Sequence, residues 1–378
     1  MSVSIAEQPG STGASPDLAL TYWGGVKAVF GLEMRQRLRA RAWYIMLLVW
    51  FVVIGLVFLL ASVTTAATFG SGAILFDLVV GFVLFFGLLV APGLSANAVN
   101  GDRAAGTLAI LQITLLTPGQ ILWGKWLASW VASLAFLLVS TPFIFWALAL
   151  GGVNPAEAFV SLLMLSVELG IVSAIGIGIS SLANRPLFSI VTTYMVVALL
   201  GIGTLITFGL SYALIEEENA EVTYSYLDYP ADTDFSVTPP PEDQLECVTQ
   251  TQIQTVHHTE RTAWLLAANP FVIVADAVPY GRGFDVGQMS EPANADVYRQ
   301  PGIMESISEG VRYLQAGPDY DISCDEVQGY GRDLPEDRFP IWPLGLVLQS
   351  VLAGGLLWLG QRKLVTPARR LAQGTRIA

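Results

Sequence analysis

Few residues in this chain can do chemistry, and their settings limit what kind. Glu168 stands alone in an apolar run, with no other charge between 158 and 184. A carboxyl so placed is costly in a membrane and faces a partner or a polar cavity. It reads either as a pathway residue for a cationic or proton-coupled substrate, or as a protonated structural group bonded to a hydroxyl such as Ser166 or Thr193. Asp77, a turn inside another apolar run, reads as a solvated or capping residue. His257 and His258 are adjacent, so they point different ways, and only Glu260 lies nearby. A zinc site needs more convergent ligands; these read as exposed loop histidines, and no metal is expected. No Ser/His/Asp set or carboxylate pair follows from spacing, so no catalytic residue is expected either. The only two cysteines, Cys247 and Cys324, favour a disulfide over two free thiols. On the chain-entropy account it stabilises by on the order of 4 kcal/mol.

One stretch imitates nucleotide chemistry. Gly119-Gln120-Ile121-Leu122-Trp123-Gly124-Lys125 fits the opening of a phosphate-binding loop, but the next residue is Trp126 where Ser or Thr should hold magnesium. No strand precedes it and an apolar run follows, so the strand–loop–helix context is missing. This chain is expected to bind no ATP and no other cofactor.

The elements that carry these residues are six apolar segments, at about 44–66, 73–96, 126–150, 157–183, 187–214 and 341–360. Each reaches the ~20 residues that cross a bilayer as helix, and helix is the solution lipid imposes on the backbone. Arg35, Arg37, Arg39 and Arg41 precede the first. Arg103, Lys125 and Arg185 lie in alternate connections, and Arg362, Lys363, Arg369, Arg370 and Arg376 follow the sixth. The connections at 67–72 and 151–156 hold no Lys or Arg. By the positive-inside rule both termini face the cytoplasm.

Charge divides the chain in the same way. From 215 to 340 there are 24 Asp and Glu against 6 Arg, a net of −18, while the remainder carries +6, which together give the overall −12. Solubility at a crowded surface explains the acidic insert, and a cationic partner is the sharper alternative. Sixteen Arg against three Lys points to a GC-rich bacterial genome. Residues 1–19 have no basic cluster and no apolar core, and read as a disordered cytoplasmic tail. Trp23, Val26, Phe30 and Met34 recur at helical spacing before the arginines. Residues 20–41 therefore read as an amphipathic interfacial helix, its apolar side in the headgroups and its basic end toward anionic lipid. It is an anchor, a docking arm, or both.

The connection between the second and third spans reads Asn100-Gly101-Asp102-Arg103-Ala104-Ala105-Gly106-Thr107-Leu108, and then Thr117-Pro118 and Gly124-Lys125. Here the chain resembles the permease subunits of type-2 ABC transporters. Their signature is an acidic–basic pair, Gly-Thr-Leu, an apolar run, a Thr/Ser-Pro turn, and Gly-Lys at the third span. The resemblance implies that Asp102, Arg103, Gly106, Thr107, Leu108, Thr117, Pro118, Gly124 and Lys125 contact an ATPase subunit. Ala104 and Ala109 stand where the family often has glutamate. On their own chemistry, Gly106-Thr107 can start a helix and Thr117-Pro118 can end one. Asn269-Pro270-Phe271 resembles a segment these permeases carry after the fifth span, and the basic tail resembles that of actinobacterial members. The segment 264–277 is too short and broken to span; it reads as a re-entrant or interfacial piece, or as a core helix of the insert.

The expected fold is an all-α integral membrane protein with six transmembrane helices. Spans one to five occupy 42–214 with a cytoplasmic coupling segment at 97–125. An acidic extracytoplasmic domain fills 215–340, the sixth span 341–361 and a basic cytoplasmic tail 362–378. The resemblance implies a multi-pass permease of an ABC exporter in a bacterial plasma membrane. It would work with an ATPase subunit holding ATP and magnesium, a second permease subunit (identical or different), and membrane lipid, with no nucleic acid. Competing readings are an ion-coupled transporter or channel using Glu168, and a membrane-anchored sensor. No inverted repeat is visible in the hydropathy, which weakens the first of these.

Overall fold

The computed structural model describes residues 21–65, 71–108, 116–228, 246–280, 302–322 and 339–365. Six helices are long and apolar enough to cross a membrane: Arg41–Thr65, Gly72–Ala104, Pro118–Ala149, Pro155–Leu182, Pro186–Leu214 and Trp342–Leu364. Helix α1, Tyr22–Arg39, precedes them. The first span is α2, Arg41–Thr65. The second comprises α3, Ser71–Ser95, and the short α4, Ala98–Ala104.

The third span, α5, runs Pro118–Ala149 and begins earlier than hydropathy places it. Thr117 and Gln120 form a reciprocal capping box, and Pro118 occupies the first turn, where its missing N–H costs nothing. Thr117-Pro118 therefore opens a helix. Residues 119–125 are its first two turns: Gln120 N donates to Thr117 Oγ1, and from Ile121 N, bonded to Thr117 O, the amides serve helical bonds.

Helix α6, Pro155–Leu182, is the centre of the bundle and packs against α3, α5 and the sixth span, α11, Trp342–Leu364. Small residues make that possible, because backbones approach closely only where no bulky side chain intervenes. Gly170 lies under Trp130, Ala174 packs with Ala353, and Gly178 faces Leu356. A Cβ at Gly178 would sit 2.6 Å from Leu356 Cβ and 2.9 Å from its backbone carbon. Gly178→Ala is thus expected to push α11 off α6 and to cost about 1–3 kcal/mol. A melting temperature equal to that of the parent in detergent would refute this.

The fifth span is interrupted. Helix α7, Pro186–Ala198, passes through a π turn, Leu199–Gly203, into α8, Thr204–Ser211. The insert that follows is not all-helical, a departure from the expected fold class. Strands β1, Glu216–Asp228, and β2, Glu246–His257, pair antiparallel, and β3, Asp321–Ile322, adds to β1 in parallel. Helices α9, Pro270–Ala277, and α10, Ile303–Ala316, complete its described part.

Nor is the insert a single free-standing unit. Met304 and the buried Ile273, Val274 and Ala275 join the same apolar cluster as the spans. Asp77 is buried and caps α10, its Oδ2 accepting from Glu305 N at 3.0 Å. Asp276 does the same for the sixth span, accepting from Ile341 N at 2.7 Å and Trp342 N at 3.1 Å, with Arg312 Nε at 3.3 Å. Burial raises the Asp276 carboxyl above the usual range, partly offset by these donors. Carboxylates thus lock the helical part of the insert to the ends of the spans.

Candidate functional site

The residues singled out between the second and third spans converge at the basic end of the bundle. Lys125 is almost wholly buried and forms ion pairs with Asp102, at 2.5 Å, and with Glu33. Helices α1, α4 and α5 each contribute one charge to this clasp. Gly124 lets α1 approach, since a Cβ there would lie 2.6 Å from Val29 Cβ. Gln120 Nε2 donates to Tyr22 O at 3.1 Å and fastens the start of α1.

Arg103 turns the other way. Its guanidinium donates to Ala183 O at 2.6 Å and Ser181 O at 3.4 Å, the orphan carbonyls where α6 ends. Leu108 is buried with Val99, Leu122, Ile177 and Leu364. Gly106, with φ +75°, ends α4 in the left-handed region glycine tolerates, and Thr107 Oγ1 donates to Asp102 O at 3.2 Å. Asp102, Arg103, Leu108, Gly124 and Lys125 thus bind this chain to itself, while among the described residues the turn at 104–107 and Thr117 are exposed. Residues 109–115 lie outside the described residues.

The N-terminal helix is fastened to the bundle along one side. Gly25, Val26 and Val29 are buried, α1 packs on α5, and Trp23 is exposed. Arg37 points inward, donating to Leu94 O at 3.1 Å and Ser129 Oγ at 3.1 Å. Burial lowers its pKa, opposed by Glu33. Lys27, Arg35, Arg39 and Arg41 are exposed. Glu33, the partner missed from sequence, had one signal: it is the only carboxylate between Asp17 and Asp77, set among arginines.

Glu168 is fully buried, and neither carboxyl oxygen has a hydrogen-bond partner among the described residues. Neither residue suggested by sequence bonds to it: the Thr193 hydroxyl donates to Ser189 O at 2.8 Å, and Ser166 offers its backbone carbonyl to Trp130 Nε1 at 2.8 Å.

The two histidines point apart as adjacency requires, but His258 is not a free loop side chain. Its Nε2 lies 2.7 Å from Glu217 and its Nδ1 2.9 Å from Glu260, while Tyr320 donates to Glu217 at 3.1 Å. With carboxylates at both nitrogens the ring is best served as imidazolium. The Glu217 bond, then the Glu260 bond, raises the His258 pKa; the His258 bond lowers that of Glu217. A raised histidine stabilises fully below its unfolded value and loses that contribution as pH rises through the folded one. Stability from Glu217 is lost on acidification instead. Hydrogen exchange of 216–222 and 252–257 is therefore expected to quicken as pH rises past neutrality, after correction for intrinsic rates. His258→Gln should abolish that dependence; an equal dependence in the variant would sink the assignment.

Among the described residues no group of His, Cys, Asp and Glu could hold a metal. Cys247 is disulfide-bonded, and the sequence offers one other cysteine, Cys324, outside the described residues. Comparison with family models and with characterised proteins found no match to this chain. The permease resemblance therefore stands on its residues alone.

Proposed function

We propose that this chain is the membrane-spanning subunit of an ATP-driven exporter of the type-2 ABC class. The observation that carries it is the clasp around Lys125. A partner pressing on the exposed turn 104–107 displaces α4, and the Lys125 pairs pass that displacement to α1 and α5 while Arg103 passes it to α6. A separate ATPase subunit supplies ATP and magnesium. A second permease, identical or different, completes the pathway, since spans one, five and six present mostly exposed apolar faces. The basic end and both termini lie in the cytoplasm, the acidic insert lies outside, and the membrane is the bacterial plasma membrane.

The test is a pulldown of the gently solubilised chain from its native host through a C-terminal tag. A stoichiometric ATPase subunit is expected, with hydrolysis lost when Gly106 and Thr107 are replaced. The chain recovered alone, without nucleotide hydrolysis, overturns the reading.

One observation favours a second reading, ion-coupled transport: the unpartnered Glu168. A buried polar group without a partner costs about 1–3 kcal/mol. Glu168→Met is thus expected to raise thermal stability by about that much, and under the exporter reading transport persists. Lost transport in this more stable variant would move the assignment to ion coupling.

A further inference from the structure

A cavity of about 610 Å³ lies at the basic end, beneath the turn joining α6 to α7. Three cations gather on that turn. Arg185, one of the lining residues, is exposed at the N-cap of α7 and makes no capping bond. Lys363 donates to Leu182 O and, at 3.1 Å, to Asn184 Oδ1. Arg103 donates to Ala183 O. No carboxylate among the described residues pairs with any of the three; their oxygen partners are carbonyls and side-chain amides.

The other wall is apolar. Leu187, Phe188 and Val191 line the cavity, and their side chains are 73%, 63% and 50% exposed. Positions four apart share a helix face, and Val191, Met195 and Leu199 continue this one up the span, all exposed. A cationic mouth therefore opens onto an apolar track of the length an acyl chain needs. Neither half alone selects a ligand, but together they match a molecule anionic at one end and hydrocarbon at the other.

The geometry points to an anionic phospholipid bound at this turn, its phosphate among Arg185, Lys363 and Arg103 and one acyl chain along α7. The inference rests on the six helices being membrane spans; it does not depend on the ATPase partner. Basic pockets between spans hold lipid headgroups by this mechanism, each cation contributing enough to change affinity about fivefold.

The test titrates the delipidated full chain in detergent with phosphatidylglycerol or phosphatidylcholine, counting bound lipids by native mass spectrometry. One tightly held phosphatidylglycerol is expected, with phosphatidylcholine much weaker. Arg185→Gln, whose native side chain makes no bond within the described chain, should weaken binding about fivefold. Arg185→Gln with Lys363→Gln should weaken it on the order of 30-fold. Arg261→Gln, in the insert, should change nothing. Equal binding of both lipids, unchanged affinity in the double variant, or displacement by inorganic phosphate overturns the proposal. So does a double variant that sheds a protein partner while keeping its lipid. A chain left unextracted by carbonate but without lipid selectivity fails this inference alone; one that carbonate extracts fails the membrane reading.

Discussion

Lys125→Met is expected to lower the melting temperature of the solubilised chain and to free α1 from the bundle. Methionine keeps most of the apolar stem, so little packing is lost. The change leaves Glu33 and Asp102 facing each other's helices with no cation between them. Breaking a fully buried pair costs about 3–5 kcal/mol. Glu33 and Asp102 keep 14% and 28% exposure, so water recovers part of that; about 2–3 kcal/mol remains. Neutralising the abandoned carboxylates should restore most of it. Lys125→Met with Glu33→Gln and Asp102→Asn is therefore expected to melt close to the parent and above the single variant. Hydrogen exchange of α1 should rise in the single variant and fall back in the triple. If the triple variant melts no higher than the single, the clasp is not electrostatic and its part in coupling goes too. Under the exporter reading the triple variant separates stability from transmission. It folds, but α1 and α4 no longer move together, so partner ATPase activity persists while transport is lost.

How far such features could be seen in the sequence depended on their range. The six spans followed from length and hydropathy, since lipid permits one kind of segment. The third began eight residues early because Lys125 sits in its buried first turns, and a hydropathy reading treats a lysine as a boundary. Its burial depends on Glu33, 92 residues away, and no local pattern announces a pair so separated. The strands were missed for a different reason. Ala220, Val222, Tyr224 and Tyr226 do alternate with Glu221, Thr223 and Ser225, but the run is short, follows Glu216-Glu217-Glu218 and sits in an acidic stretch that reads first as solubilising charge. The small-residue face of α6 was legible because packing in a membrane demands it. Glu168 was legible as an anomaly, but the absence of a partner was not, because that depends on where Ser166, Thr193 and the α5 tryptophans turn. Asp276, which caps the sixth span, sat in an apolar stretch and drew no notice, although its chemistry matches that of Asp77.

Asn269→Leu is expected to be the most damaging single change in the insert. The Asn269 amide is buried and donates to Gly201 O at 2.8 Å and to Thr204 Oγ1 at 2.9 Å, while its Oδ1 accepts from Phe271 N at 2.9 Å. Leucine fills nearly the same space and can do none of this. The widened π turn releases carbonyls from the regular helical ladder, and in an apolar setting each unmet polar group costs about 1–3 kcal/mol. Gly201 O keeps Thr204 Oγ1 at 3.0 Å, so losing the Asn269 bond to it and the cap on Phe271 together should cost about 2–4 kcal/mol. Asn269→Asp discriminates between the two ends of the side chain. It retains the cap on Phe271 but sets a carboxylate against the Gly201 carbonyl, so it is expected to be at least as unstable as leucine. Hydrogen exchange at 199–204 should rise in both variants, and unchanged protection there would end the argument. The contact lies about ten residues below the end of the fifth span, roughly 15 Å along a helix. A segment reaching that depth is part of the bundle, which favours the re-entrant reading of 264–277. Any rearrangement that straightens the π turn must withdraw Asn269, and with it the carboxylate of Asp276 that caps the sixth span.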